Sequence, residues 1–334
     1  AMAKVTAKQV AGAAGVSPSS VSNAYNKPDQ LSAEVRARIL RVADELGYHG
    51  PDPAGRALRS GRAGVIGVVM TQHNSYAFSD PYAIGFLRGL ADELNGQEIG
   101  ILLLPPTAQA VRSASIDALT SLCLQSSAPA VEAALARGIP VVSSVTDPSA
   151  EVDHVAVDDV VAGSQLGEHL ARLGHREVAV LLDDGALSGG SSPVSFPDNI
   201  DRLAGLRRAL PGAHLSVHHA AENSYSQGRD AVADIWDARD RPTAIVAFSD
   251  TMALGLMDGL RERGAVAGRD VSLAGFDDIP EAAGRGLTTV HQPIEEKGRR
   301  VARLMLDPDA PDRKVILPTR LVVRSSTAPA AGQR

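Results

Sequence analysis

Apolar residues recur at helical spacing over the first fifty positions and in short branched runs after that. From Thr6 to Asn26 the chain reads TAKQVAGAAGVSPSSVSNAYN. Thr6 can cap a helix on which Val10 and Ala14 share one face, and Gly15 supplies the permissive backbone that ends it. Ser17 then caps a second helix with Pro18 at its first position, where a missing N–H costs nothing. The pattern is a helix, a short glycine-containing turn and a helix, with Val16 and Val21 expected to face inward. After the polar stretch NKPDQL, Ser32 opens a third helix running to about Leu46, with Val35, Ile39, Val42, Ala43 and Leu46 as its apolar stripe. Residues 50–64, GPDPAGRALRSGRAG, hold too few large apolar side chains to fold alone and read as a linker. Within it, 54–60 can form about two helical turns, which need a partner surface to persist.

Beyond Gly64 the period changes. VIGVVM, IGILLLP, IPVVSSV, HVAVD, EVAVLLD, TAIVAF and VSLAGFD are short β-branched runs that alternate with amphipathic stretches such as FLRGLADEL and VEAALARG. This alternation predicts an α/β chain of βαβ units, enough for two lobes of doubly wound parallel sheet with a ligand cleft at the carboxyl ends of the strands. SIDALTSLCLQSS puts serine where a branched apolar strand is usual. The tail DRKVILPTRLVVRSST is expected to add strands late, before a disordered APAAGQR end.

Composition adds an asymmetry. The 334 residues carry a net charge of -6, yet residues 1–62 hold nine Lys/Arg against five Asp/Glu, a net of +4. The remainder holds 24 against 34, a net of -10. A basic module on an acidic body suits a polyanionic partner at one end only. No apolar run approaches the ~20 residues of a membrane span, and the opening Ala-Met-Ala-Lys carries no apolar leader, so no membrane partner and a cytoplasmic location are expected. The single cysteine, Cys123, has no Cys/His spacing around it, so it reads as a buried free thiol; no metal site and no cofactor are expected.

A helix-turn-helix presents its second helix to the major groove, where Ser19, Ser20 and Asn23 are short polar groups able to reach phosphates or base edges. The stretch VTAKQVAGAAGVSPSSVSNAYN, followed by LSAEVRARILRVADELGY, resembles the headpiece of LacI/GalR (lactose-repressor) transcriptional regulators, and the resemblance extends over nearly the whole chain. It implies three parts: a helix-turn-helix headpiece over 1–49, a hinge over 50–63 and a two-lobed, periplasmic-binding-protein-like sensor and dimerisation domain over 64–330. By position, Pro18, Ser19 and Asn23 fall where the family contacts bases, and Thr6, Ser17, Ser20, Ser22 and Asn26 where it contacts phosphate. Proline and serine replace the family's larger polar residues, so its operator sequence does not carry over. In the hinge, Leu58 matches the leucine that each subunit inserts into a central minor-groove step. Asp52 stands where the family usually has Asn and Gly55 where it has Ala, a change that costs a helix roughly 1 kcal/mol.

The resemblance also maps an effector pocket. Tyr76, Phe78 and Asp80 in NSYAFSDPY match its first loop, and Arg202 stands where these regulators grip a sugar hydroxyl or carboxylate. Ser249 and Asp250 in AFSDTMALG and Asp277 in AGFDDIP occupy other hydroxyl-binding positions, with Gln292 near the crossing between lobes. Asp250 and Asp277 each sit at a strand-to-helix transition, where capping is the ordinary alternative. Residues 184–199, rich in Gly and Ser, lack any nucleotide-loop order and read as a mobile rim of the cleft. The resemblance thus implies a homodimeric regulator, of the repressing kind usual in the family, on a pseudo-palindromic operator. Its control is expected to come from a sugar or, alternatively, from a purine or nucleoside corepressor. The tail carries no leucine heptad for a tetramer. A sugar-binding protein shares the sensor fold but not the headpiece, and no nucleophile-base constellation points to an enzyme.

Overall fold

The computed structural model describes residues 5–51, 55, 61–71, 74–184 and 196–330. Their contacts form two units, Ala1–Gly64 and Val65–Arg334. In the first unit, α1 (Ala7–Ala14) begins at Thr6, whose hydroxyl accepts from the Gln9 N–H while the Gln9 side chain accepts from the Thr6 N–H. This reciprocal box satisfies two backbone donors that a helix start leaves open. Gly15, in the left-handed region at φ 64°, ends α1, and Ser17 caps α2 (Pro18–Asn26) by accepting from the Ser20 N–H. Ser32 caps α3 (Ala33–Glu45) in the same manner, through the Val35 N–H.

Val10, Ala14, Val21, Ala24, Ile39 and Ala43 close one small core, with Val16 partly buried at its edge. Each fully buried valine or isoleucine contributes about 1.5–3 kcal/mol. Leu46 departs from the expected stripe. The helix stops one residue before it, leaving it 40% exposed, and the left-handed Gly47 turns the chain so that the Tyr48 N–H donates to the Ala43 carbonyl. Tyr48 fills the core instead, its ring edge-on to Tyr25. The expected hinge helix over 54–60, with Leu58, lies outside the described residues apart from Gly55.

The second unit carries β1 (Val65–Val69), β2 (Gly100–Leu104), β3 (Ala118–Ser121), β4 (Val141–Ser143), β5 (Asp153–Val157), β6 (Glu177–Asp183), β7 (His214–Ala220), β8 (Ala244–Ala247), β9 (Ser272–Asp277), β10 (Thr288–His291), β11 (Lys314–Leu317) and β12 (Arg320–Val322). Its helices are α4 (Pro81–Leu94), α5 (Ala108–Ser113), α6 (Pro129–Leu135), α7 (Asp159–Arg172), α8 (Pro197–Ala209), α9 (Tyr225–Asp230), α10 (Val232–Ile235), α11 (Asp250–Glu262), α12 (Pro280–Gly284) and α13 (Ile294–Leu306). The strands form two six-stranded sheets, ordered β11-β5-β4-β3-β1-β2 and β12-β10-β9-β8-β6-β7. β10 and β12 pair antiparallel; the other neighbours are parallel. The chain therefore passes between sheets after β5, after β10 and again between β11 and β12, so that each lobe is built from separated stretches.

All seven branched runs are strands, and the serine-bearing segment supplies β3. Its polar side chains are satisfied internally: Thr120 donates to the Val142 carbonyl and Ser121 to the Leu124 carbonyl. The end of the chain is held rather than disordered through Ala330, whose N–H donates to the Leu173 carbonyl while the Ala328 carbonyl lies 3.0 Å from His175 Nε2.

Glycine sets how closely the helices pack. A Cβ on Gly163 of α7 would lie 2.0 Å from the Arg202 carbonyl oxygen, and one on Gly205 of α8 would lie 2.0 Å from the Val160 carbonyl oxygen. The two helices thus approach backbone to backbone at a reciprocal pair of glycines. Gly228 with Gly255 does the same for α9 and α11, and Gly89 with Gly298 for α4 and α13.

Candidate functional site

In the first unit, the outward side of α2 carries the residues expected to meet DNA. Ser17, Ser19 and Ser20 share a hydroxyl cluster, with Ser17 Oγ 2.7 Å from Ser19 Oγ and 2.9 Å from Ser20 Oγ. Asn23 donates to the Gln30 side chain at 3.1 Å, and Asn26 folds back onto the Ser22 carbonyl at 3.0 Å. Val5, Thr6, Pro18, Ser19, Ser22 and Asn23 line one groove, so the N-terminal ends of α1 and α2 open on the same face. Helix N-termini and short hydroxyl side chains make a surface suited to phosphate, and the exposed middle of α2 one suited to base edges.

The second unit holds a small cavity of about 50 Å³ where the carboxyl ends of the two sheets face each other. It brings together Tyr76, Arg202, Ser249, Asp277 and Gln292. Three other expected pocket residues are not on its wall. Phe78 is 74% exposed, because the turn Asn74–Phe78 directs Ala77, not Phe78, into the core. Asp80 is buried as the cap of α4, accepting from the Ala83 N–H at 3.0 Å and from the Thr251 hydroxyl of the other lobe at 3.2 Å. Asp250 is fully buried and accepts from the Ile279 N–H and the Thr289 hydroxyl, pinning the turn after β9. Burial raises the carboxyl pKa of both aspartates.

Arg202 is the centre of the cavity wall. Its Nε donates to Asp159 Oδ1 at 2.8 Å and its Nη1 to the Phe248 carbonyl at 3.0 Å, while Nη2 lies 3.2 Å from Asp198 Oδ2. Its guanidinium also stacks on Phe276, 3.8 Å from the ring centre. Burial alone would lower its pKa, but the Asp159 and Asp198 carboxylates hold it above the ordinary value. Burial in turn raises Asp159 despite the arginine beside it.

Asp277 ends β9 with φ 118°, a left-handed strain that costs about 1–3 kcal/mol and persists only where neighbours fix it. Here Gln292 donates to Asp277 Oδ1 at 2.6 Å, and burial together with the nearby Asp250 carboxylate pushes the Asp277 pKa well above the usual carboxylate range. Behind it lies Lys297, only 2% exposed, whose Nζ donates to Gln292 Oε1, Tyr82 Oη and the Ser144 carbonyl. Burial lowers its pKa. Lys297 was not legible: in IEEKGRR it looks like one charge on a solvated helix face.

The remaining walls were also missed. Asp183, Asp198, Asn199 and Asn223 line the cavity, as do Tyr82 and Cys123. Asp183 was within reach of the strand-end rule, since it closes the run EVAVLLD. Cys123, in a left-handed turn at φ 58°, faces the cavity, and burial pushes its thiol pKa well up. The expected mobile rim over 184–199 lies outside the described residues over 185–195, and 197–199 are instead the first turn of α8, where Asn199 donates to Asp183.

Asp183 carries a pH prediction. Burial pushes its carboxyl up to about 6, although Asn199 donates to it. The folded protein therefore keeps a proton there that the unfolded chain loses near pH 4. Ionising Asp183 costs stability as pH rises through that window, on the order of 3 kcal/mol once it is past. As the pH falls from about 7 to about 5, the stability of the unliganded protein relative to Asp183→Asn is expected to rise, the difference that isolates Asp183 from the other titrating groups. Thermal melts of both proteins across that range check it.

Direct contacts join the lobes beside the cavity: Asn223 Nδ2 donates to Tyr76 Oη at 2.9 Å and to Asp80 Oδ2 at 3.4 Å, and Thr251 donates to Asp80. Functional ligand sites are usually ~300–1,000 Å³, so the present space fits a closed conformation that must open to admit an organic ligand.

Known proteins share this geometry. Residues 6–51 match the family of bacterial regulatory proteins, lacI family, and residues 168–327 match a periplasmic binding protein-like domain. An HTH-type transcriptional regulator of Mycobacterium tuberculosis is 34% identical, the match covering 98% of each chain. Among solved structures, a LacI family transcriptional regulator from Corynebacterium glutamicum has a TM-score of 0.73 at 26% identity, over 96% of this chain and 98% of that one. The transcriptional regulator CelR, solved as a cellobiose complex, has a TM-score of 0.67 at 27% identity, over 97% of this chain and 100% of its own. These relatives are regulators of transcription rather than enzymes.

Proposed function

This chain belongs to the LacI family of bacterial regulatory proteins, and from that premise we propose that it is a homodimeric repressor whose grip on a pseudo-palindromic operator is set by a sugar-type effector. The observation that carries the reading is the union, in one chain, of a hydroxyl-rich helix-turn-helix face and a closed polar cavity between two lobes. Pro18, Ser19 and Asn23 are assigned to base edges; Thr6, Ser17, Ser20, Ser22 and Asn26 to phosphates. Tyr76, Arg202, Ser249, Asp277 and Gln292 form the effector wall, with Asp80 and Asp250 as its supports. CelR, bound to cellobiose, supports a carbohydrate as the effector class.

The closed cavity supplies a mechanism. An effector that holds the lobes at a different separation breaks or remakes the Tyr76–Asn223 and Asp80–Thr251 contacts. That difference in affinity between two states is what couples effector to DNA, and it must act equally in both directions. A second copy of the chain is needed to match operator symmetry. β2, at the edge of its sheet, leaves Ile101 and Leu102 partly exposed and supplies an apolar surface for such a contact. Residues 50–63 serve as the hinge. A regulator of transcription of this kind works in the cytoplasm.

The hinge assignment is tested with Leu58→Ala. A wedge that unstacks a base step contributes to the bent specific complex and little to loose electrostatic binding. Gel-shift titrations on upstream DNA and on scrambled DNA are expected to show specific affinity falling roughly 10-fold or more with non-specific affinity unchanged. Equal losses on both would remove the wedge role.

A further inference from the structure

We infer that the cavity selects a ligand rich in hydrogen-bond donors and free of negative charge, a polyol or aminopolyol, and rejects the phosphorylated or carboxylated forms of the same compound. This rests on the reading of the cavity as an effector site and narrows it.

Two wall atoms carry the inference. Asp198 Oδ1 and Asn223 Oδ1 are sealed from solvent and are reached by no donor among the described residues. Asp198 as a whole is only 7% exposed. An acceptor left unpaired in a buried site is an expensive state, and more so when it belongs to a carboxylate. A ligand that brings an O–H or N–H to either oxygen relieves it; a ligand that brings another oxygen without a proton does not.

The nitrogens on the same wall are in the opposite condition. Each nitrogen of Arg202 already faces a protein oxygen, on Asp159, Phe248 or Asp198. Asn199 Nδ2 donates to Asp183, Asn223 Nδ2 to Tyr76 and Gln292 Nε2 to Asp277. The arginine that the sequence offers as a carboxylate grip is thus committed to two carboxylates of the protein itself. An incoming phosphate or carboxylate meets a guanidinium already paired with the Asp159 and Asp198 carboxylates and, beside it, the unpartnered Asp198 Oδ1. Like charges brought together in a space sealed from water repel strongly, whereas a hydroxyl or an ammonium finds acceptors waiting.

Calorimetric titration of the full-length protein with matched probes tests this: glucose, glucosamine, glucose 6-phosphate and glucuronate, and ribose with ribose 5-phosphate. Binding is expected to be confined to uncharged or amine-bearing members, with each phosphate or acid at least roughly 100-fold weaker than its parent. Asp198→Asn, which keeps the shape and exchanges the charge, is expected to weaken the best neutral probe by roughly 10-fold or more and to narrow its lead over the anionic form. An acid or phosphate that binds as tightly as its parent overturns the inference, and so does an Asp198→Asn protein with unchanged neutral affinity. DNA binding separates this from the wider reading. A phosphate that binds in the cavity and shifts operator affinity sinks the selectivity and keeps the regulator, whereas a panel in which nothing binds or shifts DNA counts against both.

Discussion

Replacing Arg202 by alanine is expected to cost the sensor domain about 3–5 kcal/mol, the usual penalty for removing one partner from a buried ion pair. The side chain lies between Asp159 on α7 and Asp198 on α8, with the Phe248 carbonyl at the end of β8 as its third partner. Without it, Asp159 and Asp198 stay buried but lose the guanidinium that bonds both, and the stacking contact on Phe276 is lost. Only a small part of that loss is hydrophobic; most is charge left uncompensated. Urea unfolding monitored by circular dichroism measures it, and a change below about 1 kcal/mol would mean that the triad is far weaker than its geometry indicates. The ligand response should disappear with the clasp, because Asp159, Asp198 and the end of β8 are then no longer held in register. Headpiece affinity for DNA in the absence of effector should change much less. A variant that loses DNA binding altogether while remaining folded would give Arg202 a purely architectural role.

A second large effect is expected from the smallest substitution. In an exposed helix Gly→Ala normally adds about 1 kcal/mol of stability. At Gly163 the new methyl group would sit 2.0 Å from the backbone oxygen of Arg202, and at Gly205 it would sit 2.0 Å from that of Val160. Backbone cannot swing aside as a side chain can, so α7 and α8 must move apart. Overpacking typically costs about 1–3 kcal/mol, and a clash between main chains belongs at the upper end, so Gly163→Ala is expected to destabilise by about 2 kcal/mol net. The same shift moves Asp159 away from Arg202, which should weaken the effector response as well. Thermal melts and effector titrations of Gly163→Ala and Gly205→Ala check both parts. A raised melting temperature in either would show that the helices have room to spare. Because the two glycines share one contact, the double variant should cost less than the two single losses combined.

Legibility in the sequence followed the range of the forces involved. Helix caps at Thr6, Ser17 and Ser32 are fixed by side chains bonding to backbone within three residues, so they could be read directly. The branched runs were equally plain, because six of the seven become strands buried along most of their length, where residue choice is narrow, while β2 keeps an apolar run at a partly exposed edge. β7 was missed for the complementary reason: HLSVHHA lies at the edge of its sheet, where half-exposed histidines are tolerated. Leu46 and Tyr48 show the limit of periodicity, since a single left-handed glycine exchanged one for the other in the core.

The cavity was read in part. Arg202, Asp277 and Gln292 reached it through family resemblance, whereas Phe78 followed the same resemblance and points to solvent. Lys297, Asn223 and Asp198 could not be found by spacing alone. Their role arises from contacts across 143 or more positions in some cases, as between Asn223 and Asp80, and no local pattern encodes those. The helix-packing glycines were silent for the same reason: a glycine in a helix is ordinary until its neighbour's backbone is known.

Whether the cavity governs operator binding is decided by fluorescence-anisotropy titration of the full-length protein against labelled pseudo-palindromic DNA from its own upstream region, at two salt concentrations and with and without the best-binding neutral polyol. Tight, sequence-dependent binding is expected, which scrambled DNA does not share and which the polyol shifts by roughly 10-fold, within the usual range of allosteric coupling. Weak binding that is indifferent to sequence, falls steeply with salt and ignores every effector would contradict it, leaving the headpiece as a source of positive charge and the cavity unconnected to DNA.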